Sequence, residues 1–401
     1  MRATPPRLFF ALLALAVAGA AGTASAYTSN LDRYYDLGSP PEPQSPRSQN
    51  MLDIYVPDGL EPSARRPVVV FVHGGGWSIG DKSYNPHDKA RLFTQAGWVY
   101  ATINYRLSPS SGDPALNPLR IRFPDHPHDV GEALGWLDRN VGRFGGDAGR
   151  MVLIGHSAGA QLVSLIGANP KYGRDFGVLP TQVIGVVSLD AIFDIAARAD
   201  PTRPTFVSAQ ADMYWNAFAT PEEHAVDGAW HWGSPLTFAG PRDPPFLFVT
   251  QAANRRRQAA QTEMARALSQ DPADVLAVPL DHAGINRNLG SPADTSGETP
   301  AVMAFVREVI KAAAPPRVRL LSRPAKIVRL KTGPHRVVFR FRATTPGAVF
   351  ECRMDGGPLR DCRSPRSYRV GAGKHAFAVR AAVPGRRAGP ATRFSFRVIR
   401  P

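Results

Sequence analysis

Met151-Val152-Leu153-Ile154-Gly155-His156-Ser157-Ala158-Gly159 runs directly into Ala160-Gln161-Leu162-Val163-Ser164-Leu165-Ile166. Four consecutive apolar residues without polar alternation read as a strand buried on both faces, and the stretch after Gly159 has the composition of a helix. A strand that feeds a helix through Gly-x-Ser-x-Gly must turn sharply. Glycines at both flanks permit the turn, and the serine hydroxyl is then presented, under strain, at the edge of the sheet. The start of the helix also leaves amide N–H groups free to face developing negative charge. Ser157 is therefore a candidate nucleophile, and its surroundings predict an α/β protein.

The flanking sequence has the same organisation. Pro67 to Val72, Trp98 to Ile103, Val183 to Leu189, Phe246 to Val249 and Val275 to Val278 are further apolar runs, and Asn50 to Val56 alternates as a half-exposed strand does. Segments with helical spacing separate them, including Asp129 to Val141 and a helix opening at Thr299-Pro300. Alternating strands and helices predict a mostly parallel sheet covered on both faces, here over residues 46–312. His73-Gly74-Gly75-Gly76-Trp77 follows one buried run, where an acyl-transfer enzyme of this design needs oxyanion donors. The N–H groups of Gly75, Gly76 and Ala158 are the candidates, whereas His73 reads as structural. A general base must come late in the chain. His282, directly after the run ending at Val278, has the right address. His126, His128, His224 and His231 read as surface or core residues, because His126-x-His128 lacks a third ligand at metal-binding spacing. The stretch Ala199 to Phe238 carries Tyr214, Trp215, Phe218, Trp230 and Trp232, which read as packing residues or as a cover over an acyl pocket.

With these motifs in hand, the sequence resembles the bacterial α/β-hydrolase carboxylesterases, near the hormone-sensitive-lipase-like and feruloyl or acetyl-xylan esterase branches. The resemblance spans residues 46–312 or so. It rests on His73 to Trp77, Asn104-Tyr105-Arg106-Leu107-Ser108-Pro109, Arg143-Phe144-Gly145-Gly146-Asp147 and Gly155 to Gly159. It implies an α/β-hydrolase fold, Ser157 as nucleophile, His282 as base, oxyanion donors at Gly75, Gly76 and Ala158, and no cofactor or metal. The sequence departs from the family at one point. The triad acid usually follows the strand represented here by Phe246 to Val249, yet Thr250 to Arg257 contains no acid, and Asn254 occupies the expected position. An amide orients an imidazole but does not stabilise its cation. Asp190, at the end of the preceding run, is the preferred substitute for the acid, with a turn-capping role through Asp194 as the competing reading. Asp281 ranks third, because side chains adjacent in sequence diverge.

The two ends of the chain differ from its centre. The net charge of the 401 residues is +15, but residues 317–401 hold 21 Lys or Arg against three acids, leaving 1–316 slightly acidic. This basic region alternates arginine with apolar residues in short strands, which predicts a small all-β sandwich. Glu351-Cys352, Asp355-Gly356-Gly357 and Cys362 give it a weaker resemblance to the immunoglobulin-like modules of secreted bacterial proteins. Cys352 and Cys362 flank a hairpin turn and are expected to form a disulfide. Residues 1–26 read as a signal peptide, with Arg2 and Arg7 before an apolar run and cleavage expected after Ala26, followed by a lead segment over 27–45. Together these features predict a secreted serine carboxylesterase acting on a small-molecule or polysaccharide-linked ester. Its basic region would hold an anionic envelope polymer rather than nucleic acid. An arylformamidase-type amide hydrolase and a catalytically weak binding scaffold are the alternatives.

Overall fold

The computed structural model describes residues 27–36, 46–110, 112–329, 333–345, 347–383 and 388–400. The expected signal peptide and part of the lead segment lie outside them. Eight strands form the first sheet: β1 (Tyr27–Tyr34), β2 (Met51–Pro57), β3 (Arg66–Val72), β4 (Val99–Ile103), β5 (Gly146–His156), β6 (Val183–Leu189), β7 (Phe246–Gln251) and β8 (Leu276–Val278). Their order is β1-β2-β4-β3-β5-β6-β7-β8. Strands β3 to β8 are parallel to one another, and β2 and β1 join antiparallel at one edge. The expected lead segment is corrected here, because Tyr27–Tyr34 pairs with β2 as an edge strand. Its exposed, polar composition carries no buried run, so hydropathy alone did not mark it.

Period-two alternation sends successive side chains to opposite faces of the sheet, and the apolar runs fill both. Val68, Val70 and Val72 of β3 and Met151 and Leu153 of β5 join one core cluster with α2 (Asp125–Asn140) and α3 (Ala158–Ala168). Val69, Phe71, Val152 and Ile154 point the other way, against α1 (Pro86–Gln95) and the helix Glu298–Ala312. A parallel sheet sandwiched in this way has its carboxyl strand ends on one edge. The turns after β3, β5, β6 and β8 carry His73 to Trp77, Ser157, Asp190 and His282 respectively, so this edge holds every candidate residue.

Among the described residues from Val318 onward, every regular element is a strand. A five-stranded sheet comprises β10 (Ile327–Arg329), β12 (Val349–Met354), β13 (Arg360–Cys362), β15 (Gly373–Ala382) and β16 (Thr392–Ile399). A three-stranded sheet comprises β9 (Val318–Ser322), β11 (His335–Ala343) and β14 (Arg366–Val370). The two share one apolar core, in which Phe339 of β11 stacks on Phe377 of β15 at 3.9 Å between ring centroids. A disulfide joins Cys352 to Cys362 across the neighbouring strands β12 and β13.

Candidate active site

The serine turn is built from steric exclusion. Ser157 takes φ 54° and ψ −117°, a conformation that costs of order 1–3 kcal/mol for a residue with a side chain. It persists because the chain packs too closely for any other path. A Cβ on Gly155 would lie 2.3 Å from the carbonyl oxygen of Gly159, and one on Gly159 would lie 2.2 Å from that of Val72. The Ser157 N–H donates to the Leu189 carbonyl at 2.9 Å, which fixes the turn to β6.

Ser157 Oγ lies 2.8 Å from His282 Nε2, and His282 Nδ1 lies 2.6 Å from Asp190 Oδ2. Three segments remote in sequence thus form one continuous hydrogen-bonded line. Asp281 accepts from Gly284 N–H and so caps the helix His282–Asn288, which sets His282 as its first residue. That cap also accounts for Asp281 pointing away from the imidazole. His156 completes the support. Its Nε2 lies 2.7 Å from the His282 carbonyl oxygen and must carry the proton, since a carbonyl only accepts. Burial, followed by the charge of His282, pushes His156 down to about 3, so it stays neutral.

Asp190 is fully buried and, unusually for a residue with a side chain, has φ 59°. Its Oδ1 accepts from the Thr250 hydroxyl at 2.8 Å, and its Oδ2 accepts from Gln251 Nε2 at 2.6 Å. Arg257 Nε stands 3.4 Å from Oδ2. Burial pushes this carboxyl upward. The bond from His282, the Arg257 charge and the Thr250 and Gln251 bonds outweigh it and hold Asp190 below the ordinary aspartate value. Asn254, the alternative partner for His282, is placed elsewhere. Its Oδ1 accepts from Arg257 N–H at 3.1 Å and caps the helix Arg255–Ala267. Asp194 performs a similar local task, accepting from Ala197 N–H. Thus the turn-capping role belongs to Asp194, and Asp190 faces the histidine.

Beside Ser157 lies a cavity of about 60 Å³ whose walls include Gly76, Trp77, Ala158, Met213 and Tyr214. Ala158 opens α3, so its N–H has no partner within the helix. Gly75 precedes Gly76 at φ 117°, and a Cβ there would lie 1.9 Å from the Ile79 carbonyl oxygen, so only glycine fits this turn. The turn is braced by the Asn104-Tyr105-Arg106 segment. Tyr105 donates its hydroxyl to the His73 carbonyl at 3.2 Å and stacks on the His73 ring at 4.5 Å, while Arg106 grips both oxygens of buried Asp129. Buried His73 itself bonds the Gly74 carbonyl through Nδ1, and burial lowers its basicity.

The aromatic stretch divides by role. Tyr214, Phe218 and Trp230 are buried, and Trp77 packs against both Tyr214 and Phe218, whereas Trp232 is half exposed. His126 bonds Ser108 Oγ at 2.9 Å within the core, and His128 packs on Tyr172. Sequence reading missed Thr250, Gln251, Arg257 and His156 as parts of the site. Gln251 and Arg257 lie in the segment searched for an acid, and polar residues directly after a buried strand were the available signal.

The BD-FAE family model matches residues 52–267, more than half of the chain. Among curated proteins, "Probable carboxylic ester hydrolase LipM" of Mycobacterium tuberculosis is 29% identical over 208 residues, covering 51% of this chain and 45% of that one. "Esterase LipC" of the same organism is 28% identical over 275 residues, covering 66% and 63%. The chain therefore spans less than two thirds of the length of either relative. A truncated carbohydrate esterase from gut microbiota superposes with a TM-score of 0.55 at 17% identity, over 72% of this chain and 98% of that structure. At that identity the likeness establishes the α/β-hydrolase fold. The family match ends at residue 267 and so does not bear on the immunoglobulin-like resemblance of the C-terminal region.

Proposed function

The chain belongs to the BD-FAE family, and from that premise we propose that it is a serine carboxylesterase working through an acyl-enzyme. His282 Nε2 removes the proton from Ser157 Oγ as the oxygen attacks the ester carbonyl carbon. The resulting imidazolium is stabilised by the Asp190 carboxylate, and the oxyanion by the amides of Gly75, Gly76 and Ala158. Collapse expels the alcohol, which takes its proton from His282. Water then repeats the sequence on the acyl-enzyme and releases the carboxylic acid. The observation that carries this reading is the unbroken line Ser157 Oγ, His282, Asp190 at 2.8 and 2.6 Å.

The small cavity beside Ser157 favours a short acyl group, having room for only a few water-sized groups. Labelling by a fluorophosphonate, lost in Ser157→Ala together with hydrolysis of p-nitrophenyl acetate, is the expected result. Labelling that spares Ser157, or undiminished hydrolysis in the variant, overturns the assignment. The same constellation would cleave an aryl formamide, and a panel pairing each ester with its amide separates the two activities.

We further propose that the protein is exported and that its basic region holds an anionic envelope polymer. A disulfide fits an oxidising compartment. The exposed face of β9, β11 and β14 sets Arg336 opposite Arg369 and Arg342 opposite Arg319. Like charges in direct cross-strand register repel. The three acids of the region, Glu351, Asp355 and Asp361, all belong to the β12–β13 hairpin of the other sheet. Salt-sensitive retention of the protein on anionic cell-wall polymer, with none on neutral polysaccharide, is expected. Retention insensitive to salt rejects the proposal.

A further inference from the structure

The geometry points to an anion-binding subsite in the wall of the Ser157 cavity, built from Arg257 and Tyr214 with the charge of Arg198 in support, and hence to an ester substrate that carries an ionised carboxylate. This deepens the carboxylesterase reading and rests on it.

Arg257 and Tyr214 line the same small cavity as Ser157, Gly76 and Ala158. An anion held there lies within a few ångströms of the reacting carbonyl. Arg257 is anchored by the Asp190 carbonyl through Nη1, and Nε stands near Asp190 Oδ2. A guanidinium carries five N–H donors in a rigid fork, and the remaining ones have no acceptor among the described residues. Tyr214 is only 1% exposed and lines this cavity, and its hydroxyl makes no hydrogen bond to a described residue, which leaves it free to serve a ligand there. Burial pushes this phenol up to about 12 despite the opposing charges of Arg198 and Arg257, so it remains protonated and able to donate.

Arg198 belongs to the short helix Ala196–Ala199, which packs against the helix Ala211–Ala217 that carries Tyr214, and its charge acts on Tyr214. Among the described residues its one hydrogen bond is a long contact of 3.5 Å to the Thr205 carbonyl, and no carboxylate lies within ion-pair distance. Burial lowers its proton affinity, and the charges of Arg256 and Arg257 lower it further against the opposing influence of Tyr214 and Asp194. A guanidinium does not escape this by deprotonating. The charges of Arg256 and Arg257 thus act against that of Arg198, while Asp190 is committed to His282 and Asp194 caps its own turn. A bound anion would relieve that repulsion and supply the acceptor that the Tyr214 hydroxyl lacks.

The carboxylate can enter from either side of the ester, as a half-ester of a dicarboxylic acid or as an acyl ester of a hydroxy acid. Two matched pairs distinguish these sources: mono-p-nitrophenyl succinate against p-nitrophenyl butyrate, and 3-acetoxybenzoate against phenyl acetate. We expect kcat/KM for the charged member of at least one pair to exceed that of its neutral partner by about tenfold or more, the worth of one charge-assisted bond. Both Arg198→Gln and Tyr214→Phe should reduce that ratio, chiefly through KM of the charged ester. Tyr214→Phe keeps the ring and its packing, and so guards against a folding defect in the arginine variant. A ratio near one in both pairs, or a ratio unchanged in both variants, overturns the subsite. Arginines that served only the common oxyanion would raise both members equally and give that result. If neither pair is turned over and Ser157 is not labelled, the carboxylesterase reading has failed instead.

Discussion

Replacing Asp190 with Asn isolates the electrostatic part of the proposed mechanism, because the hydrogen-bonding geometry can survive the change. Gln251 Nε2 and His282 Nδ1 both approach Oδ2, whereas Oδ1 receives the Thr250 hydroxyl. An asparagine with its oxygen at the Oδ2 position keeps the first two donors. Its amide nitrogen then faces Thr250, whose hydroxyl can rotate to accept, and only the long 3.4 Å bond from the Gln251 backbone N–H to Oδ1 is given up. What is lost is the negative charge beside the imidazolium that forms as Ser157 gives up its proton. With charge centres about 4 Å apart and an effective dielectric near 20, that attraction is worth about 4 kcal/mol, or roughly 10³ in rate. The same exchange in a serine-protease triad lowers kcat about 10⁴-fold. We therefore expect kcat for p-nitrophenyl acetate to fall by about 10³ to 10⁴, with circular dichroism unchanged. Asn254→Ala is the control. Loss of its helix cap should cost about 1 kcal/mol of stability and leave kcat within a few-fold of the parent. An Asp190→Asn enzyme within tenfold of the parent, or an Asn254→Ala enzyme as crippled as Asp190→Asn is expected to be, would refute the assignment of the acid.

Three further outcomes follow from the same structure. Gly159→Ala places a Cβ 2.2 Å from the Val72 carbonyl and 2.3 Å from that of His73, so it should abolish activity and lower the melting temperature; wild-type behaviour would show that the turn has room to relax. Glu298 is buried with neither carboxyl oxygen bonded, and burial pushes it up to about 9. A group whose folded value is raised stabilises below its unfolded value and loses that contribution as pH rises through the folded one, so the parent should lose stability relative to Glu298→Gln between about pH 4.5 and 9; parallel pH profiles in thermal melts would contradict this. The Cys352–Cys362 disulfide closes a loop with a sequence separation of 10, for which chain entropy gives about 2.7 kcal/mol. Reduction should therefore lower the calorimetric transition of the β region while esterase activity persists, and loss of activity in step with that transition would count against independent function of the two parts.

Much of the hydrolase fold was legible because burial on both faces leaves an unmistakable mark. Val183–Leu189 and the β3 run appear in sequence with almost the bounds they have in the structure, since nearly all of their buried positions are apolar. The edge strand β1 was not legible. With one edge and one face in solvent, its residues Thr28, Ser29 and Asp32 are free to be polar, and only pairing with β2 makes it a strand. The same asymmetry holds within the site. Ser157 and the glycines around it are dictated by local backbone geometry, which is a property of neighbouring residues and so can be read from a short motif. The partners of Asp190, by contrast, are fixed by the lateral packing of β6 beside β7, which places Thr250 and Gln251 against a residue some 60 positions earlier.

The position of the acid ties these observations together. Where the resemblance calls for a carboxylate after β7, the chain has Asn254 followed by three arginines, and the carboxylate stands at the end of β6. This transfer has a backbone cost, since Asp190 must adopt φ 59°, a region that a side chain disfavours by of order 1–3 kcal/mol. The structure offsets it with an Asp190 N–H bond to the Val249 carbonyl at 2.8 Å, with the Thr250 and Gln251 bonds, and with Arg257, which fixes the Asp190 carbonyl. Arg257 can do this because the segment after β7 is free of the acid. An aspartate kept there would compete for the guanidinium and draw it away from the Ser157 cavity. Moving the acid one strand inward therefore does two things at once. It retains a charge for the imidazole, and it leaves a cation in the wall of the cavity, where a substrate carboxylate can meet it.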